Sequence, residues 1–204
     1  YTWKQVYERS TQFASSLEKQ GIGLGDTVSV LAANTPELFE AHYAIPMTGA
    51  VINTINIRLD PHTIAYILDH SDAKLFIVDA QFSPTIKKAL KLVSIKIPII
   101  DIVDEQAQLK DEEGERLGQW TYEEFLELGN NNYQWKKPQD EWQAISLSYT
   151  SGTTGQPKGV VYHHRGSYLM SMGSVVAWNM PNNLNYLYTV PMFHCNGWGY
   201  PWTL

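Results

Sequence analysis

From Tyr149 to His164 the chain reads YTSGTTGQPKGVVYHH, four hydroxyl residues and three glycines followed by a Pro-Lys pair and an apolar run. A strand running into Thr150, Ser151, Gly152, Thr153, Thr154 and Gly155 would offer backbone N–H groups unobstructed by side chains, together with hydroxyl donors. Phosphate oxygens suit such a lining. Lys158 adds a compact positive charge at the far end of the loop, and Pro157 stiffens the approach to it. The spacing is not that of the usual P-loop. The lysine stands three residues after Gly155, and Gly159 follows it where a magnesium-ligating Ser or Thr would be expected. The bland alternative is a Gly/Thr-rich hairpin that merely turns the chain.

Two neighbouring patterns carry less. His163, His164 and Arg165 sit side by side, but adjacent histidines diverge and no third ligand follows at a zinc-like spacing, so a segment leading into a helix is the expectation. In PMFHCNGW, Pro191 to Trp198, Cys195 lies next to His194. Sequence neighbours on an extended chain point to opposite faces, which argues against a thiol nucleophile paired with that histidine.

The elements that must position these residues follow from periodicity. Trp3, Val6, Phe13, Ala14 and Leu17 recur at helical spacing between Thr2, a candidate cap, and Gly21, a candidate stop. Residues 27–33 read as a β-branched strand, and Thr35-Pro36 as the cap and first residue of a helix to about Thr48. Strand 51–55, helix 60–70, strand 74–78, helix 82–92 and strand 97–103 continue the alternation. Strands this apolar between helical patterns imply an α/β fold with a mainly parallel sheet buried on both faces. The acidic stretch from Asp104 to Arg116 reads as a solvated loop before a short helix at 121–128. Residues 144–148 form the strand that enters the Gly/Thr loop, with a strand at 159–163, a helix at 167–177 and a strand at 186–190 beyond it. The chain thus divides into 1–143, βα units and a polar connection, and 144–204, the Gly/Thr loop with the segments on its C-terminal side.

The bulk numbers narrow the function classes. With 204 residues, 44% hydrophobic and 18% charged, the composition is that of a globular chain. A net charge of −6 gives no broad basic face for nucleic acid. One cysteine, Cys195, excludes an internal disulfide framework and fits a reducing compartment, with the cytoplasm as default. No apolar run reaches the roughly eighteen residues of a membrane span. The chain opens at Tyr1 on a helical pattern and stops after GYPWTL, which reads as part of a longer protein, truncated at both ends.

The ordered string YTSGTTGQPKGVV resembles the phosphate-binding signature of the adenylate-forming (AMP-binding) superfamily, which includes acyl-CoA synthetases, peptide-synthetase adenylation domains and luciferases. PMFHCNGW resembles the segment bordering the acyl pocket in acyl-CoA synthetases. With YHHRG it is most similar to the branch of medium-chain acyl-CoA synthetases, 3-methylmercaptopropionyl-CoA ligases and plant acyl-activating enzymes. The stretch GDTVSVLAANTPELFEAHYAIPMTGAVINTINIRL is similar to the family's opening βα units. The family's later adenine-binding segment, ribose-binding aspartate and small lysine-bearing domain have no match, so the chain resembles the N-terminal part of the large domain.

The resemblance implies an AMP-forming acid–thiol ligase: carboxylate and ATP give acyl-AMP and pyrophosphate, and CoA then gives the thioester and AMP. It implies Ser151, Gly152, Thr153, Thr154 and Gly155 as phosphate contacts, Lys158 as electrostatic support and Thr150 as a Mg²⁺ contact. It places His194 between nucleotide and acyl sites and Trp198 at the acyl-pocket wall or gate. A histidine satisfied by backbone partners, and ordinary core packing for Trp198, are the alternatives. Trp178, Met180 and Trp202 are further pocket candidates, with buried core as the default for each. The implied substrate is a short or medium-chain carboxylic acid, with no nucleic-acid partner and a homo-oligomer left open. A carrier-protein thiol as acceptor, or a non-catalytic phosphate-binding module, stay open at this point.

Overall fold

The computed structural model describes residues 1–107, 114–150, 155–194 and 197–204. Helix α1, Trp3–Lys19, opens with a capping box in which Thr2 accepts from the Gln5 N–H and the Gln5 side chain accepts from the Thr2 N–H. It closes at Gly21, whose φ of 81° no other residue adopts cheaply, while the Ile22 N–H reaches back to the Leu17 carbonyl. Phe13, Ala14 and Leu17 are fully buried as the periodicity requires, but Trp3 is 63% exposed and does not belong to the core face.

Strand β1, Thr27–Leu31, leads to α2, Pro36–Met47, capped by the Thr35 hydroxyl with proline at its first residue. Then come β2, Val51–Thr54; α3, Pro61–His70, capped by Asp60; β3, Ala73–Asp79; α4, Ser83–Leu90; and β4, Ile99–Ile102. A two-residue strand, β5, Trp120–Thr121, precedes α5, Tyr122–Glu127. It is too short to leave an alternation in the sequence. Strands β6, Ala144–Thr150, and β7, Lys158–His163, are followed by α6, His164–Ala177, and a final turn of helix, α7, Tyr200–Thr203.

The seven strands form one sheet in the order β5-β4-β3-β1-β2-β6-β7. Every neighbouring pair is parallel except β6 and β7, which pair antiparallel across the Gly/Thr loop. The fold is therefore α/β, and mainly parallel as expected. Alternation within the buried strands separates two cores. Val28, Val30, Leu75, Ile77 and Ile52 pack with α1, α2 and α5, while Leu31, Phe76 and Val78 pack with α3 and α4.

Three expectations fail. Burial on both faces holds for β1 to β4, but β7 is exposed along most of its length because it is the terminal strand of the sheet. Residues 186–190 form no strand. Their backbone is held instead by Asn34, whose side-chain amide donates to the Tyr188 and Val190 carbonyls and whose oxygen accepts from the Met192 N–H. Trp178 is not a core residue: it is 70% exposed.

Candidate active site

A cavity of about 690 Å³ opens at the carboxyl ends of β2 and β6, where parallel α/β sheets present ligand sites. Strand β6 contributes Ser148, Tyr149 and Thr150; the loop contributes Gly155, Gln156 and Pro157; β7 contributes Val160 and Tyr162. From the far end of the chain come Phe193, His194 and Trp198. The two motifs singled out in the sequence thus share one cavity, although residues 165–190 lie between them in the chain.

Ser151, Gly152, Thr153 and Thr154 lie outside the described residues, as does Cys195. Thr150 is exposed at the end of β6, directly opposite Lys158 in the antiparallel register. Lys158 is exposed at the start of β7 and is not part of the cavity lining. One register step away Gly159 faces Tyr149, and a Cβ there would press on the Leu147 methyl group at 2.9 Å.

His194 is exposed, and its backbone builds a tight turn: its N–H donates to the Pro191 carbonyl, and its own carbonyl accepts from Gly197 and Trp198 at 2.9 and 2.8 Å. Gly197 has no room for a side chain, because a Cβ would overlap the Pro191 carbonyl. Tyr188 closes the turn by donating its hydroxyl to the Gly197 carbonyl. Trp198 is only 9% exposed, lining the cavity on one side and belonging to the α2 core on the other.

The Tyr149 hydroxyl is pushed up to about 12 by desolvation, and it lies 2.7 Å from Nδ1 of His70. His163 caps α6, its Nδ1 accepting from the Gly166 N–H at 2.9 Å, which makes it a helix-leading residue rather than a ligand. Among the described residues no group of three or more His, Cys, Asp or Glu could hold a metal. Met180 lines a different cavity, and Trp202 stands behind Trp198 with ring centroids 5.2 Å apart.

Several lining residues carry no signal in the sequence. Thr54, Asn56, Leu59, Thr63 and Ile67 reach the cavity only because β2 pairs with β6 and α3 packs beside it. Tyr162 and Phe193, next to the motifs, could have been found by proximity.

The family model for AMP-binding enzymes matches residues 1–204. The chain belongs to the AMP-binding enzyme family. Among curated relatives of this family, the chain is 50% identical to acetate–CoA ligase CCL3 of Humulus lupulus, covering 99% of this chain and 37% of that protein. It is 44% identical to the peroxisomal acetate/butyrate–CoA ligase AAE7 of Arabidopsis thaliana, covering 100% and 37%. The chain therefore spans little more than a third of these relatives' length. A solved long-chain-fatty-acid–CoA ligase of Archaeoglobus fulgidus shares the AMP-binding fold, with a TM-score of 0.82 at 20% identity, covering 100% of this chain and 38% of that one. An anthranilate–CoA ligase in complex with anthranoyl-AMP matches with a TM-score of 0.75 at 25% identity, over 84% of this chain and 31% of that one. Among the described residues no helix is long and apolar enough to cross a membrane.

Proposed function

We propose that this chain forms the phosphate-binding and acyl-pocket part of an AMP-forming acyl-CoA ligase that takes short or medium-chain carboxylic acids. The observation that carries the reading is the single cavity shared by Thr150, Gly155 and Pro157 on one motif and His194 and Trp198 on the other. AMP-forming CoA ligases use ATP, Mg²⁺ and CoA. Relatives named for acetate, butyrate and 2-methylpropanoate support small acids as the substrate class.

In this reading a carboxylate oxygen attacks the α-phosphorus of ATP, the bond to pyrophosphate breaks, and the CoA sulfur then attacks the acyl carbonyl and releases AMP. The backbone N–H groups and hydroxyls of Ser151 to Gly155 bind the phosphates. Lys158 stabilises the charge that grows on departing pyrophosphate. Without a carboxylate or histidine cluster among the described residues, a Mg²⁺ ion would draw on phosphate and water oxygens, with the Thr150 hydroxyl as its protein contact. His194 orients the carboxylate, and Trp198 bounds the acyl group with a broad apolar face. Cytoplasmic action is part of the proposal.

Pyrophosphate release by the full-length protein over a panel of short, medium, branched and aromatic acids, with and without CoA, tests this. Acid-dependent release that leads on to a CoA thioester is expected, strongest for the short and medium acids. Release without thioester would move the acceptor to another thiol, and no release would end the ligase reading.

A further inference from the structure

The Trp198 wall of the cavity, whose ring lies 6.1 Å from that of Tyr162 in the same lining, is also backed by residues outside the cavity. Behind Trp198 lies His42 of α2, fully buried, with its ring 5.4 Å from the Trp198 ring and 6.0 Å from the Trp202 ring. Its Nδ1 donates to the Leu38 carbonyl at 2.7 Å, while Nε2 is buried with no hydrogen-bond partner among the described residues. A purely apolar side chain would fill the same space without stranding that nitrogen.

One turn further along α2 is Pro46, inside the helix. Its missing N–H is the one that would bond the carbonyl of His42, four residues earlier. That freed carbonyl accepts instead from the indole N–H of Trp202, at 2.8 Å. Tyr43, the next residue of α2, donates its hydroxyl to the Pro201 carbonyl. Helix α2 thus holds the segment after Trp198 at two points, and Trp202 and His42 fill the space into which Trp198 would otherwise retreat.

We propose that His42, together with the carbonyl that Pro46 leaves free, positions Trp198 and thereby limits the length of the acid the cavity accepts. The proposal rests on the reading of Trp198 as the acyl-pocket wall. His42 is a positioning residue: it acts through Trp198 rather than on substrate or nucleotide.

The test uses the full-length protein with a series of straight-chain acids from acetate to octanoate. His42→Ala opens space behind Trp198 and is expected to raise kcat/KM for the longer acids relative to acetate by roughly tenfold or more, about the discrimination that one methylene commands. The KM for ATP should stay unchanged. Pro46→Ala removes no aromatic side chain but supplies the helix N–H that competes for the His42 carbonyl. It is expected to release Trp202 and shift acid selectivity in the same direction, with a melting temperature unchanged or raised. This variant decides the matter where His42→Ala fails to fold. Wild-type activity with unaltered acid selectivity in Pro46→Ala would overturn the inference while leaving the ligase reading standing. Absence of acid-dependent pyrophosphate release in the wild type would overturn both.

Discussion

Lys158 and His42 show how differently single residues can serve one site. Lys158 is an exposed charge at the start of β7, opposite Thr150, and its proposed work is electrostatic. Replacing it with alanine should slow acid-dependent pyrophosphate release roughly a hundredfold, the scale of losing one preplaced charge-stabilising group, with the melting temperature unchanged. His42 is fully buried, and desolvation lowers its pKa to about 4. Above about pH 6.5 the imidazole is neutral in folded and unfolded chains alike, so it adds no pH dependence there. Between about 6.5 and 4 the unfolded chain takes up a proton that the folded chain refuses, and stability falls by up to about 3 kcal/mol across that window. His42→Leu should remove this component. Urea denaturation of both proteins at a series of pH values checks it: the difference between the two stability curves should slope between pH 6.5 and 4 and be flat above.

At the scale of elements, a polar link ties α1, α2 and α5 together on one face of the sheet. Arg9 of α1 donates its Nε–H to Glu40 of α2 at 2.6 Å and its two terminal nitrogens to Glu123, while the Tyr122 hydroxyl donates to the other Glu40 oxygen at 3.0 Å. Burial raises the Glu40 carboxyl above its ordinary range, against the pull of Arg9, and the two carboxylates hold the Arg9 guanidinium firmly protonated. Removing Arg9 would strand a fully buried carboxylate. Arg9→Met should therefore cost about 3 kcal/mol, whereas Glu40→Gln added to it should restore much of the loss by removing the unpaired charge. Denaturant midpoints of the single and double variants measure this; equal stability of the two would refute it. None of this link is legible in the sequence, because it joins residues far apart along the chain. The helix caps are legible, since Thr2, Thr35 and Asp60 act on N–H groups two or three residues away.

At the scale of the whole chain, the sheet of the described residues ends in β7, most of which is exposed. Val161 on β7 is 61% exposed, and Leu169, Met172 and Val176 on α6 are exposed as well. An apolar edge strand with unpaired N–H and C=O groups is a template for association. A polypeptide of these 204 residues is expected to self-associate, and Val161→Lys to lower its sedimentation-derived mass towards the monomer. Unchanged association would show that the edge is not the contact. This exposure is where the reading of every strand as doubly buried failed: an apolar run states that a strand prefers burial, not which partner covers it. What the sequence determined alone was whatever local chemistry fixes, namely the βα alternation, the caps, the parallel class of β1 to β4 and the Gly/Thr loop with its lysine. The resemblance carried by two motifs pointed to the family. Only the tertiary structure decided that Thr150 and His194 share a cavity, that Thr54 and Thr63 line it, that Asn34 replaces a strand at 186–190, and that Pro46 frees a carbonyl for Trp202. Periodicity and capping act over a few residues along the chain, whereas a pocket is set by register and packing between segments that the sequence keeps apart.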